Sequence, residues 1–198
     1  MTGLKFFAVA LLFLLANAPD LQAAARAWDI DAPHSNFYFT VDHIYSKVRG
    51  QFNKFSGEVR FDPSNLADSR FSFKIEVDSI DTNIAKRDKH LQSADFFDSG
   101  KFPVMTFESV KITDAGNNRY DVAGKFTVKG VAYDLVLPLT FAGIKNHPAA
   151  EGKEVAGFNG TVTIDRLAYK VGSGKFYDMG LVGKDVEILV TLEALSDK

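Results

Sequence analysis

The chain has 198 residues, 23 basic and 25 acidic side chains, a net charge of −2 and no cysteine. The balance of charge argues against sequence-independent nucleic-acid binding, which needs a basic surface; the missing thiols exclude cysteine nucleophiles, cysteine-ligated zinc and iron–sulfur clusters. Phenylalanine stands out with 18 residues, of which only Phe6, Phe7 and Phe13 precede residue 28. The remainder imply a large apolar interior, and composition leaves open whether that interior is packed or hollow.

Lys5 precedes an unbroken apolar run from Phe6 to Ala16, too short to span a bilayer. Ala23, Ala25 and Ala27 then supply the small-x-small pattern of a cleavage site. Residues 1–27 are therefore predicted to be a cleavable secretory signal, with cleavage between Ala25 and Ala27, and residues 28–198 one exported domain.

From Trp28 on, the dominant signal is alternation. Phe37, Phe39, Val41 and His43 share one parity; Phe71, Phe73, Ile75 and Val77 another such row; Tyr120, Val122, Gly124, Phe126 and Val128 a third. Val131, Tyr133, Leu135, Leu137, Leu139 and Phe141 make a fourth, joined to the third by the short turn Lys129-Gly130. Period two with one apolar face predicts antiparallel strands. Phe52 and Phe55 break parity, as do Met105 and Phe107 against Val110 and Ile112, so bulges are expected near residue 53 and near Ser109. Further strands are predicted around Phe158, Val162 and Ile164, and around Val186 to Leu192. About eight strands result. They predict an all-β domain, closed as an up-and-down barrel or paired as a sandwich. Trp28 is expected to plug one end.

Residues 83–97 are the exception. Ile84 and Leu91 lie seven apart around Lys86, Arg87, Asp88, Lys89 and His90, which predicts a short helix capped by Asp81 or Asn83. The charged run is either a solvated helix face or a set of groups at a barrel mouth, with Arg87 facing an anionic or carbonyl head group. Residues 143–154, and 166–183 with Gly172, Gly174, Gly180 and Gly183, read as long loops and candidate lids.

Catalytic signals are missing. There is no nucleophile elbow, P-loop or dinucleotide fingerprint. His34, His43, His90 and His147 form no pair at metal-ligand spacing, so no metal site is expected. His43 shares the parity of Phe37 and Phe39 and reads as a core histidine or a donor to a ligand.

Several ordered blocks resemble one family. They are Trp28-Asp29-Ile30, His34-Ser35 and Phe39 with His43; Ser79-Ile80-Asp81-Thr82 with Arg87-Asp88, His90-Leu91 and Ser93-Ala94-Asp95-Phe96-Phe97; Phe102-Pro103; and Gly124-Lys125-Phe126-Thr127-Val128-Lys129-Gly130-Val131. Together they resemble YceI-like lipid-binding proteins from Trp28 to about Ala194. That resemblance implies an eight-stranded, lipocalin-like antiparallel barrel in the bacterial periplasm. It implies a carrier of a polyisoprenoid, an isoprenoid quinone or another long lipid, with no cofactor besides that ligand and no catalysis. The lumen would be lined by Phe37, Phe39, His43, Phe55, Phe61, Phe71, Phe73, Ile75, Phe107, Phe126, Leu137, Phe158 and Val162, with Arg87, Asp88 and His90 at the mouth. Where such proteins carry an aromatic- and glycine-rich stretch, this chain has Lys145 to Glu151; its loop Val171 to Phe176 resembles a subgroup associated with membrane b-type cytochromes. The resemblance therefore also leaves open a cytochrome partner, an envelope-stress role and a homodimer.

Overall fold

The computed structural model describes residues 24–198. The predicted leader up to residue 23 lies outside the described residues. Eight strands form a closed antiparallel ring: β1 (Ala27–Ile30), β4 (Phe55–Arg60), β5 (Arg70–Glu76), β7 (Val104–Gly116), β8 (Arg119–Val128), β9 (Val131–Asn146), β10 (Lys153–Asp165) and β11 (Val182–Asp197), with β11 paired back to β1. Three further segments, β2 (Asn36–His43), β3 (Ser46–Phe52) and β6 (Ile80–Asp81), are the same staves continued past kinks. Each stave pairs with its sequence neighbours, so of the barrel and sandwich that the alternation allows it is the up-and-down barrel, lipocalin-like as the family resemblance implies.

The kinks have local causes. A single 3-10 turn at Ala32–His34, with Pro33 inside it, separates β1 from β2. Between β3 and β4, Ser79 stitches the bend: its carbonyl accepts the Asn53 N–H at 3.1 Å, and its hydroxyl accepts the Lys54 N–H at 3.0 Å. The Phe52/Phe55 spacing thus marks a bend between two strands rather than a bulge within one. A second register shift lies between Ser109 and Lys111, where Val110 is extruded to 74% exposure and Ile112 returns to the core.

The staves place the loops at two ends. One end carries the turn Ile44-Tyr45, residues 82–103 with α1 (Ala85–Gln92), the turn Lys129-Gly130, and residues 166–181 with α2 (Lys175–Asp178). The other carries residues 61–69, the turn Asn117-Asn118 and residues 147–152. Two loop expectations are corrected here. Half of residues 143–154 are strand, because β9 and β10 resume pairing past a bulge at Gly157/Phe158, with Ile144 opposite Ala156. The six-residue turn that remains lies at the end away from α1. In addition, α1 begins after Ile84 with no side-chain cap, since Asp81 Oδ1 accepts the Asn83 N–H at 2.8 Å and Asn83 turns into the left-handed region.

Side-chain size then divides the interior. Near residues 61–69, Phe61 meets Tyr120, Phe141 and Phe158 at ring distances of 5.0, 5.1 and 5.2 Å, and Phe158 meets Phe71 at 5.2 Å. Trp28 closes this layer, buried with its indole N–H donated to the Phe61 carbonyl at 3.3 Å. Arg26 lies over the indole and pairs with Glu154 at 2.5 Å, so barrel contacts reach back past Trp28. Such edge-to-face pairs add about 0.5–1.5 kcal/mol each beyond area burial. Toward the α1 end the inward positions change to Val41, Leu135, Leu137, Val162, Ile164, Val186 and Ile188, smaller side chains that do not meet across the lumen.

Candidate functional site

The unfilled half of the barrel is an apolar cavity with about 1130 Å³ of atom-free space, part of it open to solvent. Phe37 and Phe73, in edge contact at 5.2 Å, stand between it and the aromatic plug. Its wall is predominantly apolar: Phe39, Val41, Ile75, Phe107, Phe126, Leu135, Leu137, Val162, Ile164 and Ile188 lead up to a cover made of Leu91, Phe96, Phe97, Tyr169 and Val171, with Tyr38 and Arg166 also in the lining.

Inward glycines keep the lumen open by letting large side chains lie flat against it. A Cβ on Gly50 would overlap the Phe39 ring and sit 2.8 Å from Thr82 Cγ2. One on Gly124 would sit 2.6 Å from Phe107 Cζ. Gly50→Ala is therefore expected to drive the Phe39 ring into the cavity, lower stability by about 1–3 kcal/mol and reduce ligand uptake. A urea titration read with a binding assay checks both effects.

The cover is latched at Phe96. Its ring stacks on Phe176 at 5.7 Å and takes the His90 edge at 5.1 Å; its carbonyl accepts the Lys129 ammonium at 2.5 Å. Arg166 completes the latch. It is 5% exposed, reaches over Phe96 at 5.9 Å, and donates Nε to Gly183 O at 2.8 Å, Nη1 to Val171 O at 2.9 Å and Nη2 to Val182 O at 3.3 Å. One guanidinium thus ties both ends of residues 166–183 together and joins them to residues 93–97. Burial pushes its pKa down, opposed by the neighbouring Asp165 charge, yet arginine keeps its proton in folded proteins. Gly172, with φ +91°, is required beside it, because a Cβ there would overlap Nη1.

The sequence-predicted residues divide accordingly. Phe37, Phe39, Phe73, Ile75, Phe107, Phe126, Leu137 and Val162 line the cavity. Phe61, Phe71 and Phe158 instead form the plug, and Phe55 packs on Phe37 at 5.0 Å away from the lining. Parity alone cannot separate these two depths. His43 is also corrected: it pairs with Val182 at the rim and is not among the lining residues.

Arg87, Asp88 and His90 do not face the cavity either. Arg87 Nε and Nη2 donate to Thr82 Oγ1 and O, each at 2.7 Å, while Asp88 Oδ1 accepts the Thr82 N–H at 2.9 Å and its hydroxyl. Both side chains fix buried Thr82 at the entry to α1. His90 holds Asp95 at 3.1 Å and braces Phe96. The charged run thus braces the cover through Thr82, Asp95 and Phe96.

Arg166 and Tyr169 escape the sequence reading. The signal was present, since Arg166 continues the inward parity of Phe158, Val162 and Ile164. A charged residue at an apolar position simply reads as the end of a strand.

With this geometry in place, the comparisons with known proteins agree. The family model for the YceI-like domain matches residues 28–194. A UPF0312 protein of Vibrio parahaemolyticus is 38% identical over 181 residues, covering 89% of this chain and 95% of its own length. A UPF0312 protein of Shewanella sp. is 34% identical over 189 residues, covering 92% and 93%. The crystal structure of BcnA from Burkholderia cenocepacia superposes with a TM-score of 0.75 at 32% identity, covering 84% of this chain and 99% of that one. A polyisoprenoid binding domain from Saccharophagus degradans shares the fold, with a TM-score of 0.63 at 14% identity over 84% and 97% of the two chains. The match across nearly the whole barrel, at both sequence and structure level, establishes that the chain belongs to the YceI-like family.

Proposed function

We propose that the chain is a periplasmic, non-catalytic binding protein that carries or stores a long isoprenoid chain in this cavity. The observation that carries the reading is a half-barrel cavity whose wall is built almost entirely of apolar side chains. Burial alone would hold such a ligand, at about 0.8 kcal/mol per CH2 removed from water. So apolar a wall gives little grip to a polar substrate, and Arg166, the charged residue of the lining, is held by the Val171, Val182 and Gly183 carbonyls. The polyisoprenoid binding domain of the same fold supports the ligand class. The apolar run after Lys5 supports export.

An isoprenoid quinone fits better than a bare hydrocarbon. The Tyr133 hydroxyl is buried without a hydrogen-bond partner, and its ring lies 4.6 Å from that of Tyr169 in the cavity's cover. An unpaired buried donor costs about 1–3 kcal/mol; Tyr133 itself is outside the cavity lining but touches Tyr169, which is in it, so a ligand carbonyl recovers that cost once the Tyr169 ring moves aside. Organic extraction of protein purified from its native compartment is expected to release one class of long-chain isoprenoid at close to one per protein. Recovery of no lipid, together with no uptake of added long-chain quinone, rules the reading out.

A further inference from the structure

The covered end of the barrel carries a second feature that a ligand cavity does not need. The β2–β3 turn consists of Ile44 and Tyr45, with His43 opposite Ser46. Positive φ at the first turn residue only is the pattern of a type II′ hairpin, whose first position favours glycine. Ile44 occupies it at φ 51°, a conformation in which a β-branched side chain is an outlier. Both residues also point at water: Ile44 is 55% exposed and Tyr45 fully so. Local backbone preference and the hydrophobic effect both argue against isoleucine there.

This turn is continuous with the cover. The Ile44 N–H donates to Leu181 O at 3.2 Å, two residues from Met179. Met179 and Tyr177 are exposed on the same loop. The same end presents Lys86 and Lys89 on α1, and Lys170 and Lys175 on the cover loop. All four are exposed, and none has a carboxylate within ion-pair distance among the described residues. The chain as a whole is net negative; Arg70, Arg119 and Lys145 toward the opposite end are likewise exposed without an ion pair, but this end sets its four lysines beside the exposed Ile44, Tyr45 and Met179.

We propose that this end docks on an anionic lipid bilayer, with Ile44, Tyr45 and Met179 inserted at head-group depth and the four lysines facing lipid phosphates. Tyrosine settles at that depth because its ring is apolar and its hydroxyl wet. Lysines beside a modest apolar insertion supply the second signal that stable surface binding needs. The docking gives the cavity its supply, and to that extent the proposal rests on the isoprenoid reading: a water-insoluble chain leaves a membrane directly into a cavity whose cover lies against it.

The test is co-sedimentation of the purified protein with vesicles of phosphatidylglycerol and phosphatidylethanolamine, against vesicles of phosphatidylcholine alone. Binding to the anionic vesicles is expected, and it weakens with added salt. The double substitution I44G/Y45S is expected to cut partition at least tenfold while its Tm stays at or above the parent value, because glycine relieves the strained turn. K86E/K89E/K170E/K175E is expected to cut it by roughly a hundredfold or more. Three results overturn the proposal: no binding to anionic vesicles, I44G/Y45S binding like the parent, or a concentration-dependent dimer lost in I44G/Y45S with no vesicle binding. Vesicle binding by a protein that never yields isoprenoid keeps the docking and removes the cargo reading; isoprenoid recovered from a protein that ignores vesicles does the reverse.

Discussion

The double substitution V162F/I188F is expected to abolish ligand loading and leave the barrel folded. Val162 on β10 and Ile188 on β11 are direct cross-strand partners, and both face the cavity. Extra volume in a packed core costs about 1–3 kcal/mol. Here the added rings enter space that is already empty, and they bring no polar atom to satisfy. Each ring buries further apolar area, at about 25 cal/mol per Å², so the urea midpoint should hold or rise. Isoprenoid binding should fall at least a hundredfold, since a filled lumen cannot accept a chain. Equal uptake by parent and variant would place the ligand elsewhere.

Arg166→Ala is expected to act in the opposite sense, opening the cover and destabilising the fold. The substitution removes donors from the Val171, Val182 and Gly183 carbonyls together, and leaves a hole beside Phe96. An abandoned buried acceptor costs about 1–3 kcal/mol. Water entering the loosened loop satisfies part of that, so a loss of about 3–5 kcal/mol is expected. Arg166→Lys should recover little of it, because one ammonium cannot reach three carbonyls arranged around a planar fork. Amide hydrogen exchange across residues 166–183 should quicken, and a preloaded ligand should leave faster. A variant with parent-like stability and exchange would show that Arg166 is not the latch.

How much of this was legible in the sequence follows from what periodicity encodes. Alternation reports which face a side chain takes, so the antiparallel strands, the bend after Phe52, the bulge at Ser109 and the inward rows around Phe73, Phe126 and Leu137 could be read directly, while the choice of barrel over sandwich came from the family blocks. Periodicity is silent on depth along the barrel axis. Phe71 and Phe73 share parity on β5, yet one joins the plug and the other lines the cavity. The family's charged block was conspicuous, but its partners were not visible: Arg87 and Asp88 look like a mouth until Thr82 takes their hydrogen bonds. Arg166 looked like the start of a loop because its partners are backbone carbonyls, which no side-chain pattern announces.

A chain-length series tests the central claim most directly: affinity measured for isoprenoids that share a head group and differ only in the number of isoprene units. If the hydrocarbon cavity holds the tail, affinity should rise with every added unit, at up to about 0.8 kcal/mol per newly buried CH2. It should then stop rising once the chain fills the space between Phe73 and Phe96. V162F/I188F should lower affinity at least a hundredfold across the series. Affinity that is independent of chain length, or that tracks the head group alone, would contradict the account.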